Sequence, residues 1–250
     1  MIKAIIYDFD DTMVNTCSLH IESWYRLLRD YNLNYDHVSE DMRARFMGMR
    51  IREVAEEVLQ FFQLNTDVES FYQKRLATFI HLLQERVELL PGLIESLELF
   101  KSHNLPLGIG SSGTKSYIDV ILRKFNLVHY FDVVVTADDV TKGKPDPEVY
   151  LKTAKRLGVH PRDCLVLEDA TKGIQAAKAA GCYCIAIENP YINKQDLSYA
   201  DHTVPSLRAI TRKMINKLSN HKETTPFASL SAHPRSKQRD CFNQVFQTPA

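Results

Sequence analysis

Five cysteines in 250 residues, with no disulfide or zinc spacing among them, are too few and too scattered to staple a secreted fold. Cys17, Cys164 and Cys241 stand apart. Cys182-Tyr183-Cys184 is the one close pair, and alternation puts both on one face of a strand, where apolar filler is expected rather than metal or redox chemistry. Excess charge is absent too: 31 Lys and Arg stand against 31 Asp and Glu. A balanced chain carries no global field toward nucleic acid or an acidic membrane. No apolar run approaches the roughly 20 residues needed to cross a bilayer. The first residues also lack the charged, apolar and small-residue order of a signal peptide. These absences lead to the expectation of a cytoplasmic globular protein with no nucleic-acid or membrane partner. At 44% hydrophobic and 25% charged the composition is ordinary for one. The length suits one large domain, or a core domain with a smaller insert.

What is present begins with Ile2-Lys3-Ala4-Ile5-Ile6-Tyr7-Asp8-Phe9-Asp10-Asp11-Thr12. An apolar run of strand length ends in three acids within four residues. A buried parallel strand delivers such side chains to the carboxyl edge of a sheet, where open α/β sheets bind ligands. Carboxylates about 4 Å apart repel by roughly 4 kcal/mol per pair at an effective dielectric near 20. Such a cluster calls for a cation or a shared proton.

From Thr12 to about Leu89 the spacing is helical. Trp24, Leu27, Leu28 and Tyr31 mark one helix, Val54, Val58, Leu59, Phe61 and Phe62 a second, and Phe71, Leu76, Phe79, Leu82 and Leu83 a third. A weaker pattern covers residues 36–46. Three or four helices without a strand predict a small bundle inserted over 15–88, and Leu90-Pro91-Gly92 predicts a hinge back to the main domain. Strands are then predicted at 105–110, 131–136, 164–167 and 183–187, and helices at 114–125, 147–157, 171–180 and 207–218, the last capped by Ser206. This alternation predicts an α/β fold, a doubly wound, Rossmann-like parallel sheet built from 1–14 and 89–218. Residues 219–250 lose apolar periodicity and read as a disordered tail.

Each later strand also ends in chemistry-bearing residues. Ser111-Ser112-Gly113-Thr114 offers small hydroxyls and backbone N–H groups at a helix start, the composition of an anion cradle. Lys144 lies in Lys144-Pro145-Asp146-Pro147, a loop stiffened by two prolines. Glu168-Asp169 closes another strand. Acids, hydroxyls, a lysine and further acids suit phosphoryl transfer: carboxylates hold Mg²⁺, while lysine and hydroxyls hold phosphoryl oxygens.

In that order, Asp8-Phe9-Asp10-Asp11-Thr12, Ser111, Lys144-Pro145-Asp146-Pro147 and Glu168-Asp169 resemble the four motifs of the haloacid dehalogenase superfamily. The helical insert resembles its C1-type cap, and the likeness, over roughly residues 1–218, is to the branch with β-phosphoglucomutase and phosphoglycolate-type phosphatases. The resemblance implies Asp8 as a nucleophile that forms an aspartyl-phosphate, and Asp10 as general acid and then base. It implies Mg²⁺ on the Asp8 carboxylate, the Asp10 backbone carbonyl and Asp169, with Glu168 as a nearby or alternate ligand. Thr12, Ser111, Ser112 and Lys144 would bind the phosphoryl group. In the cap, Phe46-Met47-Gly48-Met49-Arg50-Ile51-Arg52-Glu53 resembles the substrate loop. Gly48, Arg50 and Arg52 are therefore expected at the leaving group, while Lys74 and Arg75 are expected as surface charges. His20 and Trp24 resemble cap-helix positions of this branch, so His20 is expected on the substrate side of the cap, either orienting Asp10 or packed as a satisfied core histidine.

Two positions depart from the pattern. Asp11 stands where the first motif usually has Gly, and the lysine of Ser111-Ser112-Gly113-Thr114-Lys115 comes one position later than in the mutases. The expected function is a Mg²⁺-dependent phosphatase acting on a small phosphorylated metabolite resembling a sugar phosphate. A sugar-phosphate mutase is the alternative. A phosphoacceptor signalling domain fits less well, since its phosphorylated Asp should follow a middle strand and it carries no inserted bundle. Nothing in the sequence distinguishes monomer from dimer.

Overall fold

In the computed structural model, residues 1–46, 49–189 and 195–215 are described. Strand β1 (Ala4–Tyr7) is buried at all four positions, as its unbroken apolar character requires. A short β2 (Val14–Asn15) leads into α1 (Cys17–Arg29), α2 (Glu40–Phe46), α3 (Ile51–Phe61) and α4 (Val68–Arg86). Strand β3 (Glu88–Leu89) then returns antiparallel to β2, setting Val14 opposite Leu89. There follow α5 (Leu93–Ser102), β4 (Leu107–Gly110), α6 (Lys115–Lys124), β5 (Val133–Val135), α7 (Glu148–Arg156), β6 (Cys164–Glu168), α8 (Thr171–Ala179), β7 (Tyr183–Ile187) and β8 (His202–Val204).

Six strands make one sheet in the order β5-β4-β1-β6-β7-β8, and every pairing in it is parallel. Strand alternation sorts the core into two layers. Ile5, Tyr7, Leu107, Ile109, Leu165 and Leu167 pack with Leu97 of α5 and Ile118 of α6. Ala4, Ile6, Cys164, Val166, Cys184 and Ala186 face the other way, against Val149 of α7 and Ile174 of α8. Helices on both faces make the sheet doubly wound. The first layer continues into the four-helix insert through Trp24, Leu28, Phe71 and Phe79. Because β4 and β6 flank β1 on opposite sides, the crevice at a topological switch point opens at the carboxyl end of β1.

Some elements differ from the sequence reading. Residues 36–46 divide into a 3-10 turn, Tyr35–His37, and α2. Helix α5 was not anticipated, although Leu93, Leu97 and Phe100 are buried at helical spacing. Strand β8 went unread because His202 and Thr203 are exposed and only Val204 is buried, so it carries no apolar run. The helix expected at 207–218 opens as a 3-10 turn, Leu207–Ala209; Ser206 is fully extended and forms no side-chain cap. Helical backbone resumes at residues 212–215. Cys164, Cys182 and Cys184 are buried. Gly48, Cys241, the end of the predicted last helix and the 219–250 tail lie outside the described residues.

Candidate active site

Asp8 leaves the end of β1 and is buried, with its backbone N–H bonded to Leu167 O of the neighbouring strand at 2.9 Å. Lys144 Nζ donates to Asp8 Oδ1 and, at 2.7 Å, to Glu168 Oε1. Tyr150 of α7 lies beneath: its hydroxyl donates to Glu168 Oε1 at 2.9 Å, and its ring centre is 4.8 Å from Lys144 Nζ. Glu168 Oε2 accepts the backbone N–H groups of Asp169 and Ala170, both at 2.8 Å. A carboxylate offers about four acceptor positions, and Glu168 uses all of them on the protein. It therefore anchors Lys144 and the start of α8. Gly173 permits this approach, since a Cβ there would come 1.5 Å from Glu168 Oε1.

Thr12 donates to Asp169 Oδ1 at 2.9 Å, so the residue expected on the phosphoryl group here orients an acid. Ser111 is buried at the end of β4, and its hydroxyl accepts the Gly113 N–H at 2.9 Å. Ser112 lines the cavity in front of these groups.

Carboxylate oxygens of Asp8, Glu168 and Asp169 lie within 4.8 Å of one another, and Lys144 bonds two of the three, Asp8 and Glu168. The excess of negative charge is visible in the titration of both signs. Burial and the neighbouring Glu168 push Asp8 and Asp169 well up from the usual carboxylate range, Lys144 countering this only in part at Asp8. Burial opposes the charge on Lys144, yet Asp8 and Glu168 outweigh it and raise its pKa. Oxygen donors in excess over local positive charge fit a hard divalent cation.

Asp10 stands apart from this cluster. Tyr117 donates its hydroxyl to Asp10 Oδ2. Among the described residues Oδ1 makes no hydrogen bond, and His20 Nε2 lies 3.7 Å from it. Burial disfavours the Asp10 anion, but His20 and Tyr117 prevail and hold its carboxyl below the usual range. Arg75 Nη2 bonds His20 Nδ1. A guanidinium can only donate, so Nδ1 is the acceptor and the ring proton sits on Nε2, toward Asp10. Burial, with Arg75 adding to it, depresses the His20 pKa and keeps the ring neutral.

Asp11 has φ of 58°, the left-handed region that Gly enters freely and Asp tolerates. Its carboxylate does not reach solvent. It is buried, and Oδ1 accepts the N–H groups of Thr16 and Cys17, each at 3.0 Å, where α1 begins. Burial and the Asp10 charge push its pKa up to about 7 against those bonds. The departure from Gly is thus a helix cap.

A cavity of about 300 Å³ lies between this edge and the inserted helices, with Asp8, Asp10, Lys144 and Asp169 on its floor. Trp24, Tyr35, Phe46, Met49, Ile51 and Val54 supply much of its opposite wall. The expected substrate loop thus reaches the cavity through its apolar members. Arg50 is directed instead to the Val140 carbonyl of a core loop, at 3.2 Å. Arg52 is 59% exposed and pairs with Glu56 and Glu69. His20 does line the cavity, as do Arg43 and Glu40, which the sequence reading passed over.

Arg75 corrects the expectation of a surface charge. It is 1% exposed, lines the cavity, and lies 4.9 Å over Trp24 and 4.7 Å over Phe79. Nε and Nη1 are buried with no hydrogen-bond partner among the described residues. A signal was available: Arg75 falls four residues after Phe71 and four before Phe79, on the apolar face of α4. Tyr117 likewise sits on the apolar stripe of α6 with Ile118, Ile121 and Leu122.

This architecture has known counterparts. A model of the haloacid dehalogenase-like hydrolases matches residues 5–187. The chain is 34% identical over 183 residues to a phosphorylated carbohydrates phosphatase of Thermotoga maritima, spanning 72% of this chain and 82% of that protein. It is 33% identical over 178 residues to the fructose-1-phosphate phosphatase YqaB of Escherichia coli, with 71% and 92% covered. The crystal structure of a β-phosphoglucomutase from Clostridium difficile shares its fold with a TM-score of 0.78 at 24% identity, over 90% of this chain and 100% of the other.

Proposed function

The chain belongs to the haloacid dehalogenase-like hydrolase family, and on that premise we propose a Mg²⁺-dependent phosphatase of a small phosphorylated metabolite, with Asp8 as the nucleophile. The observation that carries the reading is the excess of buried carboxylate around Lys144, with Asp10 held separately at the same cavity floor.

Asp8 would attack phosphorus, forming an acyl-phosphate bond as the ester P–O bond breaks. Asp10 gives its proton to the departing oxygen. Asp10 is ionised in the empty site, and a phosphate monoester, whose second pKa is about 6, can bring that proton in. In the second half water attacks phosphorus, passes its proton to Asp10 and frees the Asp8 carboxylate. Lys144 and the Ser111–Gly113 turn would hold the phosphoryl oxygens. Asp8, Asp169 and the Asp10 backbone carbonyl would hold Mg²⁺, which when bound balances the surplus negative charge and polarises a phosphoryl oxygen. Arg75 would receive an oxygen of the leaving group, and the apolar wall would receive its carbon face. The phosphatase relatives support a sugar phosphate as substrate.

The mutase alternative needs a second phosphate held beside the first. Lys115, the lysine of the Ser111 loop, is 64% exposed and paired with Asp119, away from the cavity, which favours hydrolysis. The test is phosphate release over a panel of sugar phosphates, with and without Mg²⁺, for the parent and Asp8→Asn. Release that needs both Mg²⁺ and Asp8 is expected. Turnover retained in Asp8→Asn, or isomer interconversion outrunning release by orders of magnitude, would overturn the reading.

A further inference from the structure

We propose that Tyr117 is a positioning residue that divides the work of Asp10 between its two oxygens, anchoring Oδ2 and leaving Oδ1 to carry the catalytic proton. The proposal rests on the phosphatase reading and deepens it.

Tyr117 is fully buried, and its hydroxyl donates to Asp10 Oδ2. Its ring is fixed from two directions. Phe9, beside the catalytic acids, lies 6.3 Å from it, and Phe79 of α4 meets it edge-on at 5.3 Å. The preceding loop is shaped around it: a Cβ on Gly113 would fall 1.8 Å from the Tyr117 hydroxyl oxygen and 2.4 Å from Cζ. Only glycine at 113 lets this hydroxyl reach Asp10. Both Tyr117 and Gly113 border the cavity, so the anchor is set at the reaction chamber itself.

An oxygen that already accepts a strong hydrogen bond is the less basic of a carboxylate's two. With Oδ2 engaged, the proton belongs on Oδ1, which is buried, makes no hydrogen bond among the described residues and faces His20 Nε2 at 3.7 Å. In the first half-reaction the Oδ1–H bond breaks as the leaving oxygen gains its proton and the ester P–O bond opens. In the second, Oδ1 takes a proton from water as the new O–P bond forms and the Asp8–phosphorus bond breaks. Tyr117 gains and loses nothing.

Tyr117→Phe separates the hydroxyl from the ring, keeping the packing on Phe9 and Phe79. The substrate is p-nitrophenyl phosphate with Mg²⁺, whose phenolate leaves without needing a proton. The burst of p-nitrophenolate should stay within about twofold of the parent. Steady-state kcat should fall about 10- to 100-fold, part of the 10²–10⁴ that a positioned acid–base group contributes. KM should fall with kcat, and acid-trapped phosphoenzyme should accumulate, because only the water step depends on Asp10. In an Asp10→Asn background the same substitution should cost nothing more. Unchanged kcat, a parallel loss of burst and steady state, or additive losses in the double variant would overturn the role of Tyr117. A parent that forms no phosphoenzyme would instead overturn the phosphatase reading beneath it.

Discussion

On the core side of the cavity, charge meets charge. Lys144 bridges Asp8 and Glu168, Glu168 gives its remaining positions to Tyr150 and two backbone amides, and Thr12 holds Asp169. On the cap side, Arg75 is buried as deeply but keeps two nitrogens without a partner among the described residues, between two aromatic rings. A satisfied network is rigid and specifies one charge distribution, which suits a phosphoryl group that is the same in every substrate. An unsatisfied buried donor costs about 1–3 kcal/mol until something accepts from it. That cost is tolerable where the acceptor comes with the leaving group.

Removing a charge on each side should therefore give opposite pairs of effects. The largest is expected in the core. Lys144→Met should lower kcat by about 10²–10³ and also destabilise the fold by about 3–5 kcal/mol, since it strands buried acids. Urea unfolding alongside steady-state kinetics measures both, and a stable but inactive variant would break the core half of the comparison. In the cap, Arg75→Met should lower kcat/KM by roughly 10- to 100-fold, the worth of a hydrogen bond to a charged group. Its Tm should hold or rise, because an apolar side chain replaces an unsatisfied guanidinium. A marked loss of stability would show that Arg75 is structural.

The smallest effect concerns pH. Asp11 titrates at about 7 in the fold against 3.8 unperturbed. Between those values the folded chain binds more protons than the unfolded one, so stability falls as pH rises. Without divalent cation, Tm at pH 5 should exceed Tm at pH 7 by on the order of 2–4 °C per kcal/mol involved. Asp11→Asn should shrink that gap while keeping the bonds to Thr16 and Cys17. Mg²⁺ should shrink it further through Asp8 and Asp169. A Tm that climbs from pH 5 to 7 would contradict the surplus of negative charge on the core side.

The two sides also differ in how far the sequence reveals them. Asp8, Lys144 and Asp169 were legible because a parallel strand can end at only one edge, so strand-terminal acids and bases collect there. Glu168 was placed in the right cluster, but its four hydrogen bonds were not legible, since they depend on α7 and α8 folding over it. Asp11 read as an anomaly because nothing local shows that the α1 amides would turn to meet it. In the cap, His20 was found, while Arg75 was taken for a surface charge despite its place between Phe71 and Phe79. Arg50 and Arg52, expected at the leaving group from the likeness of their loop, are engaged by the Val140 carbonyl and by Glu56 and Glu69.

The alternation of strands and helices, apart from α5 and β8, the doubly wound sheet and the gathering of the motif acids followed from the sequence alone. They depend on periodicity and on strand ends, which short segments encode. Which oxygen of Asp10 is tied and where Asp11 points were decided only in three dimensions. Each is a contact between residues from about 5 to more than 100 positions apart, set by packing that no local pattern contains.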